Sequence, residues 1–110
     1  MKTSVSLKSL AKMIDHSLLH PTMTDDDIVE GCRLSRKYDV ATACVKPYAI
    51  RLAADVLSGS VVDVCSVIAF PHGNSTTSIK VSEAVSALRE GATEIDMVVN
   101  VGTVLSGDWS

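Results

Sequence analysis

Apolar residues recur along the chain with two different periods, one typical of helices and one typical of buried strands. The clearest helical stretch covers residues 24–38, where Ile28, Cys32 and Ser35 follow at helical spacing. Thr24 precedes three aspartates, which suits an N-cap residue followed by negative charge in the first helical turn. This pattern predicts a helix of roughly four turns that ends near Tyr38.

Two further helices and one short helical segment are predicted on the same grounds. The first further helix has one apolar face and a glycine stop, formed by Ile50, Ala53, Ala54, Leu57 and Gly59. The second has Ser75 or Thr76 as its cap and Gly91 at its end. Its apolar face repeats the same spacing with Val81, Ala84, Val85 and Leu88. Residues 6–12 form the short helical candidate.

Four apolar runs between these helices predict strands, at residues 13–19, 40–45, 61–70 and 94–100. The last run is almost continuously apolar around Asp96, which is typical of a parallel strand covered on both faces. A buried carboxylate must meet a cation or hydrogen-bond donors, or stay protonated. Asp96 is therefore a candidate acid/base group.

Strands that alternate with helices indicate an α/β protein with a parallel sheet. Right-handed crossovers leave an open doubly wound sheet or a closed barrel. No strand is followed by the Gly-x-Gly-x-x-Gly loop of dinucleotide-binding folds, which favours the barrel. A (β/α)8 barrel needs eight strands and about 250 residues, so the 110 residues account for about the first four βα units. We expect residues 1–110 to form one incomplete domain.

Composition narrows the classes of function. The net charge of −3 provides no basic surface for nucleic acid and no polybasic patch for a membrane. No apolar run approaches the roughly 20 residues that span a bilayer. The chain has three cysteines, an odd number, and all three lie within apolar or helical segments. This pattern indicates buried reduced thiols, and from these we expect a cytoplasmic protein.

Polar residues collect at the predicted carboxyl ends of the strands, where parallel α/β folds place their sites. They are Asp15, His16, Ser17, Cys44, Lys46, Ser66, His72, Asn74, Asp96 and Asn100. A carboxylate beside an amine could perform Schiff-base or acid/base chemistry.

Each candidate also has a structural interpretation. Asp96 could pair with a lysine or arginine on a helix, and Asp15 could hydrogen-bond backbone amides beside Pro21. Cys44 could be a small core residue, and Lys46 a solvated one. No two histidines or cysteines have the sequence spacing of a metal site, so no metal is predicted.

Four ordered stretches together resemble the deoxyribose-phosphate aldolase family: residues 14–19 (Ile-Asp-His-Ser-Leu-Leu), 43–48 (Ala-Cys-Val-Lys-Pro-Tyr), 64–71 (Val-Cys-Ser-Val-Ile-Ala-Phe-Pro) and 94–100 (Glu-Ile-Asp-Met-Val-Val-Asn). The resemblance implies a class I aldolase on a (β/α)8 TIM barrel, with no cofactor and no metal. Such enzymes reversibly cleave 2-deoxy-D-ribose 5-phosphate to acetaldehyde and glyceraldehyde 3-phosphate through a lysine Schiff base.

The same resemblance implies a role for three residues. Asp96 matches the family's carboxylate in the proton relay. Asp15 matches a residue that helps to hold this network and the substrate hydroxyls. Cys44 matches a thiol that lines the pocket. The Schiff-base lysine of the family lies on the sixth strand, beyond this chain, and neither Lys46 nor Lys80 matches its position. We therefore expect the 110-residue chain alone to be inactive.

The implied substrates are a small phosphorylated sugar and an aldehyde. Four strands would leave two open edges, so we expect self-association or a complementary C-terminal half as the macromolecular partner. Two alternatives remain open at this point: another Schiff-base barrel lyase, and a half-barrel without catalysis that associates with itself or a partner.

Overall fold

The computed structural model describes residues 4–110. Helices and strands alternate in the order α1 (Leu7–Ala11), β1 (Asp15–Leu18), α2 (Asp25–Tyr38), β2 (Thr42–Val45), α3 (Ile50–Leu57), β3 (Asp63–Ile68), α4 (Thr77–Glu90), β4 (Glu94–Met97) and α5 (Val101–Leu105). A 3-10 turn at Pro47–Ala49 leads into α3. The predicted helices and strands are all present, and the strands are shorter than the apolar runs that predicted them.

The four strands form one parallel sheet in the order β1-β2-β3-β4. Helix α2 packs on β1 and β2, α3 on β2 and β3, and α4 on β3 and β4. A doubly wound sheet would reverse its strand order and carry helices on both faces. The sequential order is that of a partial (β/α) barrel, which confirms the predicted fold class.

The main core lies between the sheet and its helices. Ile28, Val45, Ile50 and Ile68 are all fully buried there. Helix α2 rests closely on β1, since a Cβ added at Gly31 would lie 2.3 Å from Leu18 Cδ2. This packing fixes the sheet from one side only.

Local hydrogen bonds explain where several helices begin and end. Thr24 and Asp27 form a capping box at the start of α2, with Thr24 N donating to Asp27 Oδ2 over 2.8 Å. Thr76 occupies the N-cap position of α4, although its side chain makes no capping hydrogen bond. Gly91 ends α4 with a φ of 115°. The Asn100 side chain accepts a hydrogen bond from Thr103 N and caps α5.

The prediction that residues 94–100 form a strand covered on both faces is wrong. Strand β4 covers only Glu94–Met97, and Asp96 is exposed. The reason is its position: β4 is an edge strand of the described sheet, and the sheet face that carries Asp96 is not covered by any helix of residues 4–110.

No helix within residues 4–110 combines the length and the apolar character needed to cross a membrane.

Candidate active site

The sheet face opposite the helices carries the candidate site, and we call it the open face. Side chains alternate between faces along a strand, and parallel register partners point the same way. Ser17, Cys44, Cys65 and Glu94 are successive register partners across the four strands. Asp15, Thr42, Val67 and Asp96 share this face by the same alternation. The open face is therefore rich in carboxylates, hydroxyls and thiols.

Asp96 and Cys44 meet on the open face. The Cys44 thiol donates a hydrogen bond to Asp96 Oδ2 over 3.8 Å. Both residues line an open cavity of about 400 Å³, together with Ser17, Leu19 and Val67. The structure thus brings together two of the three residues that the sequence assigned to the site.

Asp15, the third predicted residue, lies beside them. Its Oδ1 accepts a hydrogen bond of 2.9 Å from the buried Thr42 hydroxyl, and not from the backbone amides that the structural interpretation required. Carboxylate oxygens of Asp15, Glu94 and Asp96 all lie within 4.8 Å of one another. Two strands, β1 and β4, therefore direct three acidic groups to one point.

Glu94 and Thr42 belong to the open face and were missed by sequence reasoning. The signal for Glu94 was present, because it precedes Asp96 by two residues and so shares its face in a strand. Thr42 was hidden within the small apolar run of β2. Its hydrogen bond to Asp15 depends on strand pairing that the sequence does not display.

The carboxylates of the open face have no positive partner in the described part of the chain: no basic side chain of residues 4–110 hydrogen-bonds to or pairs with Asp15, Glu94 or Asp96. The pKa of Glu94 is raised by burial first and by the neighbouring charges of Asp15 and Asp96 second. This cluster would attract a cation or a cationic side chain.

Burial is the main cause that raises the pKa of the Cys44 thiol to about 11; the hydrogen bond with Cys65 lowers this pKa, and the charges of Asp96 and Asp15 raise it. Burial also raises the pKa of its neighbour Cys65. Cys44 is therefore a neutral hydrogen-bond donor at pH 7 and not a thiolate nucleophile.

The two lysines that the sequence analysis considered for the Schiff base form hydrogen bonds outside the site. Lys46 Nζ donates to the backbone oxygen of His20 over 2.9 Å and lies 5.3 Å from the centre of the Tyr48 ring. Lys80 Nζ donates to the backbone oxygen of Val98 over 2.8 Å. Neither lysine hydrogen-bonds to Asp96.

The remaining sequence candidates do not join the site. His16 points to the helix side, where its Nδ1 hydrogen-bonds to Ser35 Oγ over 2.9 Å. Ser66 is fully buried and has Ile95, not Asp96, as its register partner. Asn100 caps α5, and His72 and Asn74 are exposed in the loop after β3.

Comparisons with known proteins give one consistent result. The chain is 50% identical over 99 residues to a curated deoxyribose-phosphate aldolase from Treponema denticola. Among solved structures, it aligns with a TM-score of 0.89 and 37% identity to a protein from Coccidioides immitis provisionally assigned to the same family, covering 98% of this chain and 42% of that one. A tetrameric deoxyribose phosphate aldolase from Aeropyrum pernix aligns with a TM-score of 0.81 and 33% identity, covering 88% and 42% of the two chains.

The extent of these matches is as informative as their strength. The Treponema alignment covers 90% of this chain but 46% of the relative, so the chain spans about half the length of the curated relatives it matches. No protein-family model matches the chain.

Proposed function

We propose that the chain belongs to the deoxyribose-phosphate aldolases and supplies half of such an enzyme's active site, because the relatives that it matches over about half of their length carry that name. The reaction would be the reversible cleavage of 2-deoxy-D-ribose 5-phosphate to acetaldehyde and glyceraldehyde 3-phosphate. The observation that carries this proposal is the convergence of Asp96, Cys44 and Asp15 on one open face, where Cys44 and Asp96 line one cavity.

In this proposal the three residues have different tasks. The Asp96 carboxylate accepts and returns protons as the carbon–carbon bond of a lysine-bound substrate breaks and re-forms. The neutral Cys44 thiol orients Asp96 Oδ2 by its hydrogen bond. The Thr42 hydroxyl orients Asp15, whose second oxygen is then left for a substrate hydroxyl.

The Schiff-base lysine would come from a segment outside these 110 residues. A lysine ammonium entering the open face would meet three carboxylates within 4.8 Å of one another, and so would find the counter-charge that they lack. The 110-residue chain alone would then bind no substrate covalently. A complementary C-terminal half, or a second copy, would cover the open face.

The proposal extends to substrates, assembly and location. The names of the relatives support a phosphorylated sugar as substrate, and the tetrameric Aeropyrum pernix relative supports an oligomer. Three free, buried cysteines support a reducing compartment, the cytoplasm.

Trapping of a Schiff base tests the proposal. The chain is incubated with acetaldehyde and borohydride, which reduces any Schiff base to a stable ethyl group, and its intact mass is measured. We expect no selective addition, because Lys46 and Lys80 are committed to backbone carbonyls. Addition at a single site, abolished by Lys46→Arg or by Lys80→Arg, would overturn the assignment of the lysine to another segment.

A non-catalytic half-barrel is the second candidate function, and the unpaired edges of β1 and β4 within the described sheet favour it. The two functions differ in one measurement. Adding the carboxy-terminal half of a relative should create aldolase turnover if the chain is half of an enzyme, and only a larger particle if it is a structural module.

A further inference from the structure

Two thiols and one carboxylate from three different strands converge on the open face. Cys44 on β2, Cys65 on β3 and Asp96 on β4 each offer one donor atom, and these atoms all lie within 4.8 Å of one another. Both cysteines are free and buried, whereas Asp96 is exposed. Cys44 and Asp96 line the open cavity, and Cys65 is fully buried behind it.

The spacing of these atoms suits a small tetrahedral cation. Zinc binds sulfur at about 2.3 Å and carboxylate oxygen at about 2.0–2.2 Å, which places neighbouring donors about 3.5–3.8 Å apart. The Cys44 Sγ to Asp96 Oδ2 distance is 3.8 Å. Small side-chain rotations would therefore bring the three donors onto one ion.

The surroundings favour positive charge at this point. Asp15 and Glu94 place further carboxylate oxygens within 4.8 Å of Asp96, and among residues 4–110 no basic side chain pairs with any of the three. Their field would raise the local concentration of a cation.

The geometry points to a binding site for a thiophilic divalent cation, of the class of Zn²⁺, formed by Cys44, Cys65 and Asp96. Each thiol releases its proton to solvent as its sulfur binds the ion, and a water molecule completes the fourth position. The proposal does not rest on the aldolase function, since its test measures binding. An ion held there would occupy Cys44 and Asp96, and so would act as an inhibitor of that function, not as its cofactor.

The spacing of cysteines and histidines along the sequence cannot predict such a site. The spacing argument for metals detects ligands that are close along the chain, whereas Cys44, Cys65 and Asp96 meet only because β2, β3 and β4 pair in register.

Titration with Cd²⁺ tests the proposal, because cadmium thiolates show an ultraviolet charge-transfer absorption. We expect one Cd²⁺ per chain, competition by Zn²⁺ and none by Mg²⁺. Cys44→Ser and Cys65→Ser should each lose most of the absorption. Cys32→Ser is the matched control: this buried cysteine belongs to the core on the helix side, and its loss should leave the titration unchanged.

A second variant keeps the test decisive if a cysteine substitution impairs folding. Asp96→Asn changes an exposed residue and leaves both thiols in place, and it should weaken Cd²⁺ binding by about 10–100-fold. The proposal is overturned if the wild-type chain shows no charge-transfer absorption, if folded Cys65→Ser retains it, or if Asp96→Asn binds Cd²⁺ as tightly as the wild type.

Discussion

At the scale of single residues, burial controls the chemistry of the thiols. Cys32 on α2 is completely buried in the core, and burial raises the pKa of its thiol to about 11 from an ordinary value of 9.0. Cys44 on the opposite sheet face reaches a similar value with help from neighbouring carboxylates. Both thiols are therefore neutral and weakly nucleophilic at pH 7.

This shift links stability to pH. Because the folded-state pKa of Cys32 lies above its unfolded value, the stabilisation by the neutral thiol is complete below about pH 9 and declines as the pH rises toward 11. Relative to Cys32→Ala, the wild type should lose up to about 2–3 kcal/mol of unfolding free energy across that interval.

Urea unfolding of the wild type and of Cys32→Ala at several pH values measures the difference between their free energies of unfolding. The titration of lysines and tyrosines is common to both proteins, so it drops out of this difference. A stability difference that does not change between pH 8 and pH 11 would contradict the raised pKa of Cys32.

At the scale of elements, the loop after β3 holds the chain that follows β4. Gly73 has a φ of +65°, and a Cβ added to it would lie 1.9 Å from the backbone oxygen of Val99. Lys80 reinforces the same region through its hydrogen bond to Val98 O. The carboxyl end of β4, and with it Asp96, is thus positioned by backbone contact with this loop.

Gly73→Ala should therefore destabilise the chain by more than about 3 kcal/mol, because a left-handed φ and a backbone clash add together. Gly59→Ala is the matched control: its φ is +74°, but nothing lies within 4 Å of the added Cβ. Gly59→Ala should lower the free energy of unfolding by about 1 kcal/mol, because only the left-handed backbone conformation disfavours alanine there. Equal losses in the two variants, measured by thermal or urea unfolding, would show that the Val99 contact contributes nothing.

At the scale of the whole molecule, the partial barrel leaves apolar surface exposed. A groove of about 640 Å³ runs between α1 and α2 on the helix side of β1, and Leu7, Leu10, Leu34 and Tyr38 line it. Leu7 is 86% exposed, and the edge of β1 beside the groove has no partner strand in the described sheet. Surface of this kind favours association.

We expect the chain to assemble in a concentration-dependent manner, with the groove among the buried surfaces. Burial of a leucine contributes about 1.5–3 kcal/mol, so Leu7→Gln should raise the dissociation constant about tenfold or more. Leu105→Gln, at an 82% exposed position on α5, is the control and should change it little. Sedimentation velocity measures both, and a chain that stays monomeric at every concentration would refute this expectation.

Sequence patterns were sufficient for the elements and for part of the site. Helix α2 was predictable because its signals are local: Thr24 caps it, and Ile28 and Cys32 face the core. Asp15, Cys44 and Asp96 could be grouped because the resemblance to the aldolase family singles them out. The expected position at a carboxyl end is wrong for Asp15, which is the first residue of β1 and joins the others because it lies on the same face of the sheet.

The rest of the site depends on strand pairing and on what covers each face. An apolar run cannot show that β4 is an edge strand, so the predicted burial of Asp96 was wrong. Nor can it show that Cys65 lies beside Cys44, or that Asn100 caps a helix and does not line the site.

The most direct test joins this chain to the carboxy-terminal half of a relative. Residues 1–110 are fused to the carboxy-terminal half of the Treponema denticola relative, and acetaldehyde release from 2-deoxy-D-ribose 5-phosphate is measured for the fusion and for the chain alone. The account predicts no turnover by the chain and turnover by the fusion. In the fusion, Asp96→Asn should lower turnover by about 10²–10⁴-fold, whereas Asp26→Asn, an exposed control on α2, should not. Turnover by the chain alone, a folded but inactive fusion, or full activity of the Asp96→Asn fusion would contradict the account.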